Sequence, residues 1–147
     1  LVQAACLLHD VSWRAHPDFR AKVCFEYATR ANLGGLSHDE RVFLGLALLH
    51  RYRNKRDGTR FEELYSLLPD EGRKEAEVLG KAMRLGAMLW ANPDDETATL
   101  HWDAKKKRLS LILTAEASPL FGEVAEARLE SLATALNATT HVDTKLT

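Results

Sequence analysis

Cysteine is nearly absent: Cys6 and Cys24 are the only two in 147 residues. Two thiols are too few for a disulfide scaffold and suit a reducing compartment, although one bridge between them stays open. Glycine (eight) and proline (four) are also sparse, which excludes a collagenous, linker-like or low-complexity chain. Neither sign of charge is in excess, since 20 Lys and Arg face 21 Asp and Glu for a formal charge of -1. No global field marks a nucleic-acid binder, so any polyanion site has to be local. The sequence lacks the uninterrupted apolar run of about 18 residues that a spanning helix needs. Its start lacks the basic, apolar and small-residue sections of a signal peptide. The expected location is cytoplasmic, with no membrane partner.

What is present is 46% hydrophobic and 28% charged, enough for a sizeable core. The chain opens LVQAACLLHD, already in a helical apolar pattern and without Met, which we read as a domain excised from a longer protein. Leu1, Ala4, Ala5, Leu8 and Val11 recur at three- and four-residue spacing on one side of an opening helix. Pro17 fits the first turn of the next helix, where its missing N–H is not needed, and that helix runs toward Gly34-Gly35. Ser37 and Glu40 form a capping box, predicting a helix that carries Val42, Phe43, Leu46, Ala47 and Leu49 toward His50 and Tyr52. Thr59 and Glu62 repeat the pattern before Phe61, Leu64, Leu67 and Leu68. After Pro69-Asp70, Ala76, Leu79, Gly80, Met83, Leu85, Ala87 and Met88 give the inner side of a longer helix that ends before Asn92-Pro93.

Beyond Asp94 the apolar period changes from 3.6 to 2. Ala98, Leu100 and Trp102 alternate with polar neighbours, as do Leu109, Leu111 and Leu113, with DAKKKR as the hairpin connection. Ser118-Pro119 opens another helix, with Phe121, Val124, Ala125, Leu129, Leu132 and Leu136 at core spacing. The threonine-rich stretch around His141 reads as a third strand. The expected fold is mainly α, with a helical body over 1–93 and a small strand-helix appendage over 94–147 packed on it.

Two constellations bear on chemistry. The first is the pair His9-Asp10 at a helix end, where an imidazole and a carboxylate could share a divalent ion, with His50 as a further donor. The plainer reading has them hydrogen-bond each other or cap the helix. The second is basic. Arg51, Arg53, Lys55, Arg56 and Arg60 crowd the end of the third helix, and Lys105, Lys106, Lys107 and Arg108 lie together at the hairpin. Arginine forks take two phosphate oxygens each and lysines add less directional charge; the alternative is two ordinary solvated loops. Tyr52 alone between arginines is thin support for base stacking, and Trp13, Phe19, Phe25 and Trp90 are assigned to helix packing. Cys6 and Cys24 sit in no CxxC and read as small core residues. The serines show no GxSxG elbow.

The segments LLHDVSW and HPDFRAKVCFEYATRANLGGLSHDERVFLGLALLHRYRNK, followed by MRLGAMLWANPDD and LHWDAKKKRLSLIL, resemble in order and separation the C-terminal helical region of the exopolyphosphatase and guanosine pentaphosphate phosphohydrolase family. That region is itself similar to the HD-type phosphohydrolase fold, and the resemblance covers nearly all of the chain. It implies an HD-like body beside two N-terminal actin-like domains that carry the phosphohydrolase site and its Mg2+. This chain contains no glycine-rich phosphate loop of its own. Against the HD pattern, His9-Asp10 match the paired positions and His50 falls near a further histidine. Ala87 stands where an aspartate is expected, so the ligand set is broken.

The expectation is an accessory domain that binds inorganic polyphosphate through Arg51, Arg53, Lys55, Arg56, Lys105, Lys106, Lys107 and Arg108. It needs no catalytic residue or cofactor of its own, docks on the parent's N-terminal domains and contributes to a homodimer. Nucleic acid is not the expected partner. The alternatives are a residual metal-dependent HD phosphohydrolase using His9, Asp10 and His50 on a nucleotide, and an assembly domain without ligand affinity.

Overall fold

The computed structural model describes residues 1–55, 61–90 and 97–145. Helices α1 (Val2–Leu8), α2 (Pro17–Arg30), α3 (His38–Tyr52), α4 (Glu62–Tyr65) and α5 (Asp70–Leu89) precede strands β1 (Ala98–Asp103) and β2 (Arg108–Thr114). A 3-10 turn at Ser118–Leu120, helix α6 (Glu123–Ala135) and strand β3 (Thr139–Lys145) complete the order. The fold is mainly α with a small three-stranded sheet, as the change of period predicts. The chain divides into two compact units, Leu1–Met83 and Arg84–Thr147.

In the first unit, α3 is the central element, buried continuously from Leu44 to His50. Its start is built as the sequence predicts. The Ser37 hydroxyl accepts the Glu40 N–H, and the Glu40 carboxylate takes the Ser37 N–H at 2.8 Å, satisfying donors that a helix start leaves free. Helix α2 lays Ala21, Cys24, Phe25 and Ala28 against it. The Phe25 ring stacks on Phe61 with centroids 4.3 Å apart and meets Tyr65 edge-on at 5.8 Å. Helix α5 reaches α3 at Gly80, where an added Cβ would strike the Ala47 carbonyl oxygen and the His50 Cβ.

Several expected core residues are outside the core. Trp13 and Phe19 are 60% and 58% exposed, because Trp13 lies in the turn after α1 and Phe19 is out of phase with the inward positions 21, 24, 25 and 28 of α2. Val11 falls beyond the end of α1, and Val11, Leu64, Leu67 and Val124 are exposed. Helix α2 stops at Arg30, short of Gly34-Gly35. The Arg41 guanidinium donates to the carbonyls of Ala31 (2.7 Å), Leu33 (2.8 Å) and Leu36 (3.2 Å), and so fixes the connection in a non-helical path. Thr59, the expected cap of α4, lies outside the described residues.

In the second unit the strand order is β1-β2-β3, with β1 antiparallel and β3 parallel to β2. A parallel return needs a crossover, and α6 supplies it. Leu109, Leu111 and Leu113 of β2 are buried and share a face with Ala98, Leu100 and Trp102 of β1, as the registered pairs require. From α6, Ala125, Leu129, Leu132 and Ala133 are buried. The last turns of α5 belong to this unit: Arg128 donates to the Arg84 carbonyl (3.0 Å), and the Trp90 indole donates to the Ala98 carbonyl (3.0 Å). Among the described residues, no helix is long and apolar enough to cross a membrane.

Candidate functional site

The His9-Asp10 pair is closed by its own neighbours. His9 caps α1, and its Nδ1 lies 3.2 Å from Asp10 Oδ1. The same carboxylate oxygen lies 3.6 Å from Arg51 Nη2 and accepts from the Tyr52 hydroxyl at 3.3 Å. Tyr52 also donates to the His9 carbonyl at 2.7 Å. A guanidinium therefore stands beside Asp10 where a metal ligand would need room for a cation. His50 is buried at the close approach to Gly80. Among the described residues no three His, Cys, Asp or Glu side chains form a group able to hold a metal ion, His9, Asp10 and His50 included.

Next to this pair, the buried Ser12 hydroxyl donates to the Arg20 carbonyl and lies 3.0 Å from Cys24 Sγ. Burial pushes the Cys24 thiol up, outweighing the Ser12 hydrogen bond that pulls it down. Burial likewise raises Tyr52, helped by the nearby Cys24. Both groups are held protonated, which suits packing rather than nucleophilic work. Cys6 is exposed and Cys24 buried, and both are free thiols. Sequence reasoning missed this polar cluster because its partners lie up to 43 residues apart.

The first basic group is split. The Arg51 side chain is only 14% exposed. Its guanidinium lies over the Tyr52 ring, 4.9 Å from the centroid, and its buried Nε has no hydrogen-bond partner among the described residues. Arg53, the C-cap of α3, and Lys55 are exposed. Arg56 and Arg60 lie outside the described residues.

The second basic group is more open. Lys105, Lys106 and Lys107 occupy the β1–β2 turn and are all exposed. Asp103 shapes that turn by accepting the N–H groups of Lys105 (3.1 Å) and Lys106 (3.0 Å), contacts that hold its carboxyl below the usual range. Lys107 adopts φ 46, a left-handed conformation uncommon for a residue with a Cβ. Its carbonyl accepts the Thr139 N–H at 2.9 Å, so the start of β3 pins the turn. Among the described residues no carboxylate forms an ion pair with Lys105, Lys106 or Lys107. Arg108 opens β2, partly buried, with its Nε lacking a hydrogen-bond partner among the described residues.

The family model for the C-terminal region of exopolyphosphatase matches residues 1–141. The chain belongs to the exopolyphosphatase C-terminal family. The match spans both units and so includes both basic groups and the His9-Asp10 pair. A search of curated proteins found no match. Within the matched residues, the lysine turn is a compact cationic tip in a chain with almost no net charge.

Proposed function

We propose that this domain holds polyphosphate for an exopolyphosphatase and carries no phosphohydrolase site of its own. One observation carries the reading: three consecutive exposed lysines on a turn shaped by Asp103, whose carboxylate accepts the Lys105 and Lys106 backbone N–H groups. Family membership supports it, and so do the exposed Arg53 and Lys55 of the other unit. Contacts remote from the scissile end would keep a long chain bound between successive cleavages, since a tethered substrate rebinds at high effective concentration. Such contacts attract phosphate but neither position water nor stabilise the charge of a transferring phosphoryl group. A role in a homodimer belongs to the same proposal. It is supported by β3, whose outer edge pairs with no further strand among the described residues and could pair with a second copy.

Binding of long polyphosphate at rising salt tests the reading. Each phosphate neutralised by Lys or Arg releases counterions, so affinity is expected to fall steeply with salt. Lys105→Ala/Lys106→Ala and Arg53→Ala/Lys55→Ala proteins are expected to bind more weakly and with a shallower salt slope, while keeping the helical circular-dichroism signal. Absence of polyphosphate binding at low salt would leave the assembly-domain reading, for which light scattering on the chain supplies the readout.

A further inference from the structure

The strand register brings two histidines to one face. His101 pairs with Ser110, and Ser110 pairs with His141, so the three form a row across the sheet. Side chains alternate along a strand, and Leu109 and Leu111, on either side of Ser110, take the buried face. The row therefore lies on the opposite, open face. His101 and His141 are exposed, and the small Ser110 between them is nearly covered, at 8%.

The neighbouring rows set the charge around the imidazoles. Nearer the turn come Asp103, Arg108 and Thr139, and beyond them Lys105, Lys106 and Lys107. On the far side Asp143 follows, its Oδ1 accepting the Thr144 N–H at 2.8 Å, and then Lys145. From α6, Glu130 borders a shallow hollow with Thr139 and Thr140. Toward the turn the carboxylate of Asp103 is committed to backbone N–H groups, and that end is cationic even with the histidines neutral.

We propose that the open face of the sheet, from the lysine turn to the His101–Ser110–His141 row, is a phosphate-chain contact site whose affinity is set by protonation of the two histidines. The inference rests on the polyphosphate reading above and adds the residues and the pH control to it. Histidine gains its charge between about pH 8 and 5. Protonation places an imidazolium on each side of the Ser110 hydroxyl and extends the cationic tip along the sheet. The internal phosphates of a long chain stay ionised throughout this window. Linkage requires the reverse effect as well: if protonation strengthens binding, bound polyphosphate must draw protons onto the protein.

The test is calorimetric titration of the untagged 147-residue chain with long polyphosphate at pH 8 and pH 6, at constant ionic strength. Each exposed charge contact is worth a few-fold in affinity, so roughly a tenfold gain is expected at pH 6 for the pair. Proton uptake should appear as a dependence of the binding heat on the buffer's ionisation enthalpy. A His101→Gln/His141→Gln protein is expected to bind like the parent at pH 8 and to lose both the gain and the uptake. Lys105→Ala/Lys106→Ala should weaken binding at both pH values and keep the slope. Binding without pH dependence would overturn this inference and leave the polyphosphate reading standing. The same holds for a slope that persists in the double-glutamine protein, which would assign it to another histidine. No binding at either pH would overturn both.

Discussion

Removing the Tyr52 hydroxyl takes away the donor that ties the end of α3 to the His9 carbonyl, and a part-buried hydrogen bond of this kind contributes about 0.5–1.5 kcal/mol. Tyr52→Phe should lose stability in that range in urea unfolding; no change would mean that water replaces the bond without cost. Cys24 offers a second reading of the same cluster. Its folded pKa is raised by burial, so above the ordinary thiol value the unfolded chain gives up this proton first. The Cys24 contribution to stability is therefore intact below about pH 8.5 and declines as pH rises further. Thiol labelling near pH 8 should modify Cys6 rapidly and Cys24 only on unfolding; equal rates would contradict the burial. What could be read from sequence at this scale was what is contiguous. Lys105, Lys106 and Lys107 stand together in the chain and on the surface. Arg51 stands close to Arg53 and Lys55 in sequence and yet turns inward because Asp10, far away in the chain, waits there. His101 and His141 could be joined only once the partner of β3 was known.

The start of α3 was legible and the end of α2 was not, for a physical reason. The partners of the cap at Ser37 lie within three residues, whereas α2 is stopped by Arg41, ten residues beyond the Ala31 carbonyl it binds. Ser37→Ala is expected to cost about 0.5–2 kcal/mol, less in a Glu40→Gln background, where the reciprocal bond is already weakened. Strict additivity of the two changes in denaturant unfolding would argue against the box. The Glu40 carboxyl is held low by the Ser37 backbone N–H and then by its hydroxyl. Its stabilisation is present above the ordinary glutamate pKa and is lost as pH falls below about 4 through the depressed folded value. Gly80 was legible only as one member of an apolar stripe. The structure shows that α5 meets α3 there with no space for a methyl group. Gly80→Ala gains helix propensity yet should lose roughly 1–3 kcal/mol net to overpacking, seen as a lower melting temperature. A stabilised protein would show that the two helices separate cheaply.

Taken whole, the molecule is expected to release no phosphate from polyphosphate or guanosine nucleotides with Mg2+ or Mn2+, because the carboxylate of His9-Asp10, the pair that matches the HD pattern, is engaged by Arg51 and Tyr52. A colorimetric phosphate assay against a buffer control reads this. Release that disappears in a folded Asp10→Ala protein would restore the metal-dependent alternative. The mainly α class and the late sheet were legible from the switch in apolar period, since 3.6 and 2 are properties of the local backbone. The direction of β3 was not, because a crossover is chosen by what α6 covers and not by the strand's own residues. That parallel pairing has a kinetic consequence. The β1–β2 ladder closes across one short turn, the kind of event that takes microseconds. Arg108 meets Thr139 only after the whole intervening crossover has been gathered, and such non-local pairing bears the larger loop-closure entropy. Substitutions in β3 should then accelerate unfolding and leave the folding rate nearly unchanged, while those in the β1–β2 turn should slow folding. His141 thus arrives last during folding and departs first, so hydrogen exchange should find the histidine row dismantled from the β3 side before the β1–β2 ladder opens.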